Sequence, residues 1–467
     1  MNRTLPFLAA TIVATAAGCT MIPGYHRPKA PVPEAWPSGP AYSKTSGATT
    51  DVSKLKWQDF FTDKNLKEII GTALANNRDL RIAALNVRES RANYQLQRAE
   101  LLPVINATAG VGRYGYSSQN SSTGSRYTYS AYNSGLNLAS WELDFFGRLR
   151  SLKGKALETY LASEEGRRST QVTLIASIAN AYLTLAADRE NLKLSQTTAE
   201  AQQRTYELVK KRYDLGLAQE LDLYQAQTPV DTARREVVAY TQQVAQDENS
   251  LALLVGGPVP ARLLPSNLDG VSQPKEIASG IHSEVLLTRP DVLQAEHQLK
   301  AANANIGAAR AAFFPSIDLT GSLGLASGNL SKLFKAGADT WSFGPQASIP
   351  IFDARTLPSL RITQVDREIT VAQYEKAIQS AFKEVADALA VRGTVGQELK
   401  EQQSLVNALS AAYRLSNSRY EQGIDDFLNV LDAQRSLFSG QQVLVTLRLS
   451  KLTNQVKLYS VLGGGGD

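Results

Sequence analysis

Few side chains in this sequence of 467 residues are placed for chemistry. The three histidines are His26 in a proline-rich segment, His282 in a linker and His297 in a helical stretch, and none stands at metal-ligand spacing from a Cys, Asp or Glu. No phosphate-cradling glycine loop follows a strand, and Gly463 to Gly466 form a C-terminal tail. Cys19 is the single cysteine, so an internal disulfide is excluded. What remains is carboxylates beside two glycines. Asp222 follows Gly216, and Asp425, Asp426 and Asp432 follow Gly423. Each glycine stands three residues after a tyrosine, Tyr213 or Tyr420, a spacing that suits a tight reversal with glycine at positive φ. Carboxylates at such a turn are either a solvated helix end or a deliberate concentration of charge, and neither makes a nucleophile or an acid–base pair. No enzyme, no metal and no organic cofactor is expected.

Two kinds of element must carry those turns. Leu223, Ala226, Val230, Ala233, Val237, Tyr240 and Val244 are spaced three and four apart, as are Val430, Ala433, Leu437, Gly440, Leu444 and Leu447, and Val172, Ile175, Ala179, Tyr182 and Ala186. A 3.5-residue period specifies knobs-into-holes packing, here with small seam residues that let helices approach closely. From Leu152 to Tyr213 the helical pattern could reach about 90 Å at 1.5 Å per residue, more than a globular core requires. The other element is β. Ile317, Leu319, Leu323 and Leu325 alternate with polar residues, as do Trp341, Phe343, Ala347, Ile349 and Ile351. Two tyrosine-rich segments in the first half, with Tyr114, Tyr116, Tyr127, Tyr129 and Tyr132, are their counterparts. Their length and terminal aromatics suit membrane strands with interfacial anchors. Four such strands cannot close a barrel in lipid, where open edges are forbidden, so the chain must oligomerise.

The halves share one plan. Asp79-Leu80 to Leu102-Pro103 returns as Asp291-Val292 to Phe314-Pro315; Asp144 to Arg148 as Phe352 to Arg355; Tyr213 to Gly216 as Tyr420 to Gly423; and Val255-Gly256-Gly257 as Leu462-Gly463-Gly464. Only the stretch between Pro103 and Arg148 differs in length. The expected organisation is a signal peptide over 1–18, an extended N-terminal tether over 19–60, repeat 1 over 61–257, a linker over 258–288, repeat 2 over 289–464 and a tail over 465–467. Each repeat comprises a helix, two strands (about 104–116 and 127–142; about 316–325 and 340–352) and a helical hairpin with its tip near 216 or 423. The balance of 49 Lys+Arg against 44 Asp+Glu, a net +5 without any basic block, gives no reason to expect nucleic acid.

At the N-terminus Arg3 and the apolar run Leu5 to Ala17 read as an export signal. Ala16-Ala17-Gly18-Cys19 resembles the lipobox of bacterial lipoproteins, with Ala16 where Leu is usual. That resemblance implies acylation of Cys19, and Thr20 after it, rather than aspartate, implies sorting to the outer membrane.

The whole mature chain resembles the TolC-like outer-membrane factors, specifically their OprM-like lipoprotein branch in tripartite pumps of the resistance-nodulation-division class. The resemblance rests on Asn76-Asn77-Arg78-Asp79-Leu80, Trp141-Glu142-Leu143-Asp144-Phe145-Phe146-Gly147-Arg148, Arg289-Pro290-Asp291-Val292, Ala311-Ala312-Phe313-Phe314-Pro315, Arg419-Tyr420-Glu421-Gln422-Gly423 and Leu431-Asp432-Ala433-Gln434. It implies a homotrimer in which a twelve-stranded transmembrane β-barrel continues into a long coiled-coil α-helical tunnel in the periplasm. It implies partners too: outer-membrane lipid, a periplasmic adaptor and an inner-membrane pump. By the same resemblance Asp222, Tyr420 and Asp432, with Tyr213, Asp425 and Asp426, belong to a gate at the helix tips. Gly216, Leu217, Gly423 and Ile424 form the adaptor-docking surface. Asn429 and Asp425 depart from the charges that some relatives carry, so the closing bonds do not all transfer. Ducts for secreted proteins or metal ions share this architecture, but two methionines offer no soft-metal path. A structural coiled-coil lipoprotein would share the heptads and the acyl group, yet leave the alternating strands and duplicated turns unexplained.

Overall fold

The computed structural model describes residues 20–42, 55–122, 124–277 and 283–466. Cys19 and His282 lie outside them. The described residues fall into two compact units, one drawn from 20–29, 86–163 and 295–374, the other from 30–85, 164–294 and 375–466.

The chain order displays the duplication. In the first half, helices α1 (Lys64–Asn76) and α2 (Arg78–Ala99) precede strands β1 (Ile105–Tyr116) and β2 (Tyr127–Glu142), then helices α3 (Arg148–Asp214) and α4 (Glu220–Val255). In the second, α5 (Pro290–Ala311) leads to β3 (Ser316–Ser327), β4 (Asp339–Ser348), α6 (Thr356–Glu421) and α7 (Phe427–Val461). Equivalent helices match closely in length: α2 and α5 have 22 residues each, α3 and α6 have 67 and 66, α4 and α7 have 36 and 35.

The strand-bearing unit holds one antiparallel sheet in the order β1-β2-β3-β4. Residues paired directly across strands share a face. One row runs through Ile105, Leu138, Gly321 and Phe343, the next through Ala107, Leu136, Leu323 and Trp341. The opposite face carries Asn106 beside Asn137, Thr108, Ser322 beside Ser342, and Thr320 beside Gly344. Polar groups there bond one another: Ser322 and Ser342 hydroxyls at 2.7 Å, and Thr320 Oγ1 to the Gly344 carbonyl at 3.0 Å. A bulge between Leu138 and Trp141 keeps Trp141 opposite Leu319, on the apolar face.

Two expectations are corrected here. β4 stops at Ser348 instead of running to 352, because Pro350 has no N–H to donate to a ladder; Ile349 and Ile351 lie beyond the strand. The tyrosines are not all lipid-side anchors. Tyr114 pairs with Tyr129 and Tyr116 with Tyr127 on the polar face, whereas Tyr132, opposite Val111, lies on the apolar one.

The N-terminal segment lies along α5 in the same unit. Arg27 Nε donates to Glu296 at 3.1 Å, Tyr25 Oη donates to it at 3.2 Å, and Asn303 Nδ2 donates to the Pro23 carbonyl at 2.8 Å. Burial alone would raise the Glu296 pKa, but the bonds from Arg27 and Lys300 reverse this and hold it below the usual range. Gly307 makes the approach possible, since a Cβ there would meet Ile22 at 2.7 Å.

In the other unit the heptads pack as their spacing requires. Ala226, Val230 and Ala233 of α4 and Ile175, Ala179, Tyr182 and Ala186 of α3 are all buried. Gly440 shows why the seams are small: a Cβ there would lie 3.0 Å from Leu409. The most apolar 18-residue window of α3 has a mean hydropathy of 1.2 and is 61% buried, so its apolar surface is already used in packing. The duplicated motifs at the starts of α2 and α5 serve one purpose. Asn77 Nδ2 donates to the Leu254 carbonyl at 2.8 Å and Arg289 Nη1 to the Val461 carbonyl at 2.7 Å, each tying a helix start to the end of that half's hairpin.

Candidate channel gate at the helix tips

Both hairpins turn by one mechanism. At the first, Gly216 N–H bonds the Tyr213 carbonyl at 2.8 Å and Leu217 N–H the Arg212 carbonyl at 2.8 Å; at the second, Gly423 bonds Tyr420 and Ile424 bonds Arg419, both at 2.9 Å. This pair of bonds, from the left-handed residue and the one after it, is the Schellman motif. Gly216 and Gly423 both have φ of 73°, which the missing Cβ permits. Leu217 and Ile424, next in line, are 66% and 57% exposed.

Above the turns the two hairpins join around Val209, Ala226, Phe427, Val430 and Leu431, with Tyr206, Tyr413 and Tyr420 packed against them. The Tyr420 ring lies 5.0 Å from that of Phe427. Its hydroxyl accepts a hydrogen bond from Arg212 Nη1 at 3.1 Å, and the Arg212 guanidinium sits 5.5 Å from the ring centroid. A residue of the first tip thereby holds one of the second.

The acids divide. Asp222 Oδ2 accepts the Gln219 N–H at 3.0 Å, half of a capping box that starts α4. Asp425 takes a two-point bond from Arg419, at 2.6 and 2.9 Å. The guanidinium holds the Asp425 carboxyl below its ordinary range. The order this pair gives the turn is present above the ordinary carboxylate pKa and lost as pH falls through the lowered one. Asp426 occupies the N-cap position of α7 without a side-chain cap bond. Asp432 is largely exposed, 3.7 Å from Arg435 one turn on. Tyr213 is 38% exposed, while its counterpart Tyr420 is the tyrosine drawn into the contact.

Arg212 and Gln219 are the participants that motif reading overlooks. The duplication contains a signal for Arg212, because Arg212-Tyr213 aligns with Arg419-Tyr420. Their different partners follow from sequence: Arg419 has Asp425 in its own turn, whereas the position equivalent to Asp425 in the first half is Ala218, so Arg212 is left to reach Tyr420. Among the described residues no cluster of His, Cys, Asp and Glu could hold a metal ion.

A family model described as outer membrane efflux protein matches residues 69–257 and 281–464, one segment for each half. The chain belongs to the outer membrane efflux protein family. Two Pseudomonas putida members, the antibiotic efflux pump outer membrane protein ArpC and the toluene efflux pump outer membrane protein TtgC, are each 48% identical over 467 residues, covering 100% of this chain and 96% of theirs. The crystal structure of the open state of the Neisseria gonorrhoeae MtrE outer membrane channel superposes with a TM-score of 0.85 at 36% identity, covering 96% of this chain and 98% of that one. This family member is an outer-membrane efflux channel, with the family's helical tunnel and β-barrel fold.

Proposed function

We propose that the chain is the exit duct of a tripartite efflux system, a passive conductor and not an enzyme, in which three copies supply twelve strands to one barrel. The observation that carries this is the sheet. Its outer strands, β1 and β4, have no second partner among the described residues, and its apolar face leaves Val111 69%, Leu323 66%, Trp341 74% and Phe343 66% exposed in the single chain. Lipid accepts such a face, and does not accept unpaired edges, so neighbouring copies must complete the ladder.

On this reading the tips are the gate. Arg212 and Tyr420 hold the hairpins together, and Asp432 repeats around the axis as an acidic ring. An acyl chain on Cys19 adds an anchor to outer-membrane lipid and is the only covalent group required. The cargo is small drug-like or solvent compounds, in keeping with the antibiotic and toluene pumps for which the two relatives are named. An inner-membrane pump of the resistance-nodulation-division class delivers it through a periplasmic adaptor that docks on Leu217 and Ile424.

Site-directed cross-linking tests the docking. In cells making the whole pump, Leu217→Cys or Ile424→Cys should cross-link to the adaptor, whereas Gln403→Cys, several turns back along α6, should not. Cross-linking at Gln403 alone would contradict a tip-mounted adaptor.

A further inference from the structure

We infer that Tyr114, Tyr116, Tyr127 and Tyr129 form a binding site for planar aromatic solutes on the bore wall of the barrel, near its exterior mouth; the inference rests on the duct reading above. The register pairs Tyr114 with Tyr129 and Tyr116 with Tyr127. The rings stack as a ladder, with centroids 5.2 Å apart for Tyr114 and Tyr129, 5.4 Å for Tyr116 and Tyr127, and 6.1 Å for Tyr116 and Tyr129. Strand alternation puts all four on the face of Asn106, Thr108 and Asn137, opposite the row of Ile105, Leu136 and Leu323. A membrane-interface girdle faces lipid. This ladder faces away from it.

Two further observations give the site its position and shape. β1 and β2 join directly through residues 117–126, while their other ends lead to α2 and α3, so the tyrosines sit at the end farthest from the helices. Gly112 lies two residues before Tyr114 on the same face, and a Cβ there would come within 2.7 Å of the Tyr114 ring. The missing side chain lets that ring lie down along the strand. Gly110, Gly135 and Gly324 continue the same face with no side chains, so next to the ladder that wall in β1 and β2 carries smaller residues such as Thr108, Ala131 and Asn133.

The chemistry selects the occupant. The four tyrosines are 38% to 50% exposed, and the end of a stacked ladder offers an apolar, electron-rich surface on which another aromatic ring continues the stack. Arg113 lies on the opposite face, across from Ser130, and so puts no positive charge on the ladder. An aromatic cation gains a cation–π term as well. Three copies would bring twelve tyrosines to the mouth.

Full-length protein in planar bilayers tests this, with benzyltrimethylammonium as the probe on the exterior side and tetramethylammonium as the non-aromatic comparison. The aromatic cation should block reversibly where tetramethylammonium does not. In Tyr114→Leu/Tyr116→Leu/Tyr129→Leu the block should weaken roughly tenfold or more, and in the matching triple Phe variant it should persist, because stacking needs the ring and not the hydroxyl. Gly112→Ala, which displaces one ring and removes none, should also weaken it. Channels that conduct but treat the two cations alike, or a Leu variant blocked as strongly as wild type, would overturn the aromatic site alone. Protein that inserts and passes no ions would overturn the duct and the site together.

Discussion

Arg212 and Tyr420 make a contact between the two tips, and the contact has separable parts. Tyr420→Phe removes the hydroxyl that accepts the 3.1 Å bond but keeps the ring against Phe427. Arg212→Ala removes both the bond and the charge over the ring. Single-channel recordings should therefore show higher conductance for Arg212→Ala than for Tyr420→Phe, and the lowest for wild type. Equal conductance in all three, with the oligomer intact, would assign closure to other residues. Within one chain the bond of Asp222 is local: losing its share of the capping box should cost about 1 kcal/mol of helix start. Much at this scale was legible in the sequence. Glycine three residues after tyrosine marked both turns, since only a left-handed residue closes them. The partner of Tyr420 was not legible, because a contact between hairpins depends on how four helices pack and not on local spacing.

Among the elements, the strands carry the sharpest expectation. Phe343 and Ser342 are neighbours in β4 on opposite faces, with Phe343 across from Gly321 in the apolar row and Ser342 bonded to Ser322 in the polar one. Phe343→Lys should destabilise the folded barrel by about 2–4 kcal/mol, a value for positively charged side chains near the bilayer midplane. Ser342→Lys should cost much less. Denaturant titrations of the two variants in micelles would check the difference, and equal losses would reverse the assignment of faces. β3 and β4 were readable from alternation alone. β1 and β2 were blurred for a physical reason: their polar face carries four large tyrosines, so apolar and polar no longer alternate although the faces do. The early end of β4 turns on Pro350, whose missing N–H a hydrophobicity pattern does not register.

For the molecule as a whole, the duplication was the most legible feature, and the structure gives it physical content. Equivalent helices differ by at most one residue, both tips use one turn, and both helix starts bond the far end of their own hairpin. What a single chain leaves unsatisfied points outward to further copies. Leu357, Ile362, Val365 and Ile369 on α6 are about half exposed or more, and β1 and β4 present unpaired backbone. Sequence could establish that the chain must associate, since four strands do not close; the number of copies follows only from how much arc each sheet contributes. Native mass spectrometry of the protein released from detergent micelles measures that number directly. A barrel built from three sheets should give a species of three chains that keeps its strand signal in circular dichroism. A stable two-chain or one-chain species with the same strand content would mean that the barrel closes in another way and is not the shared product of three copies.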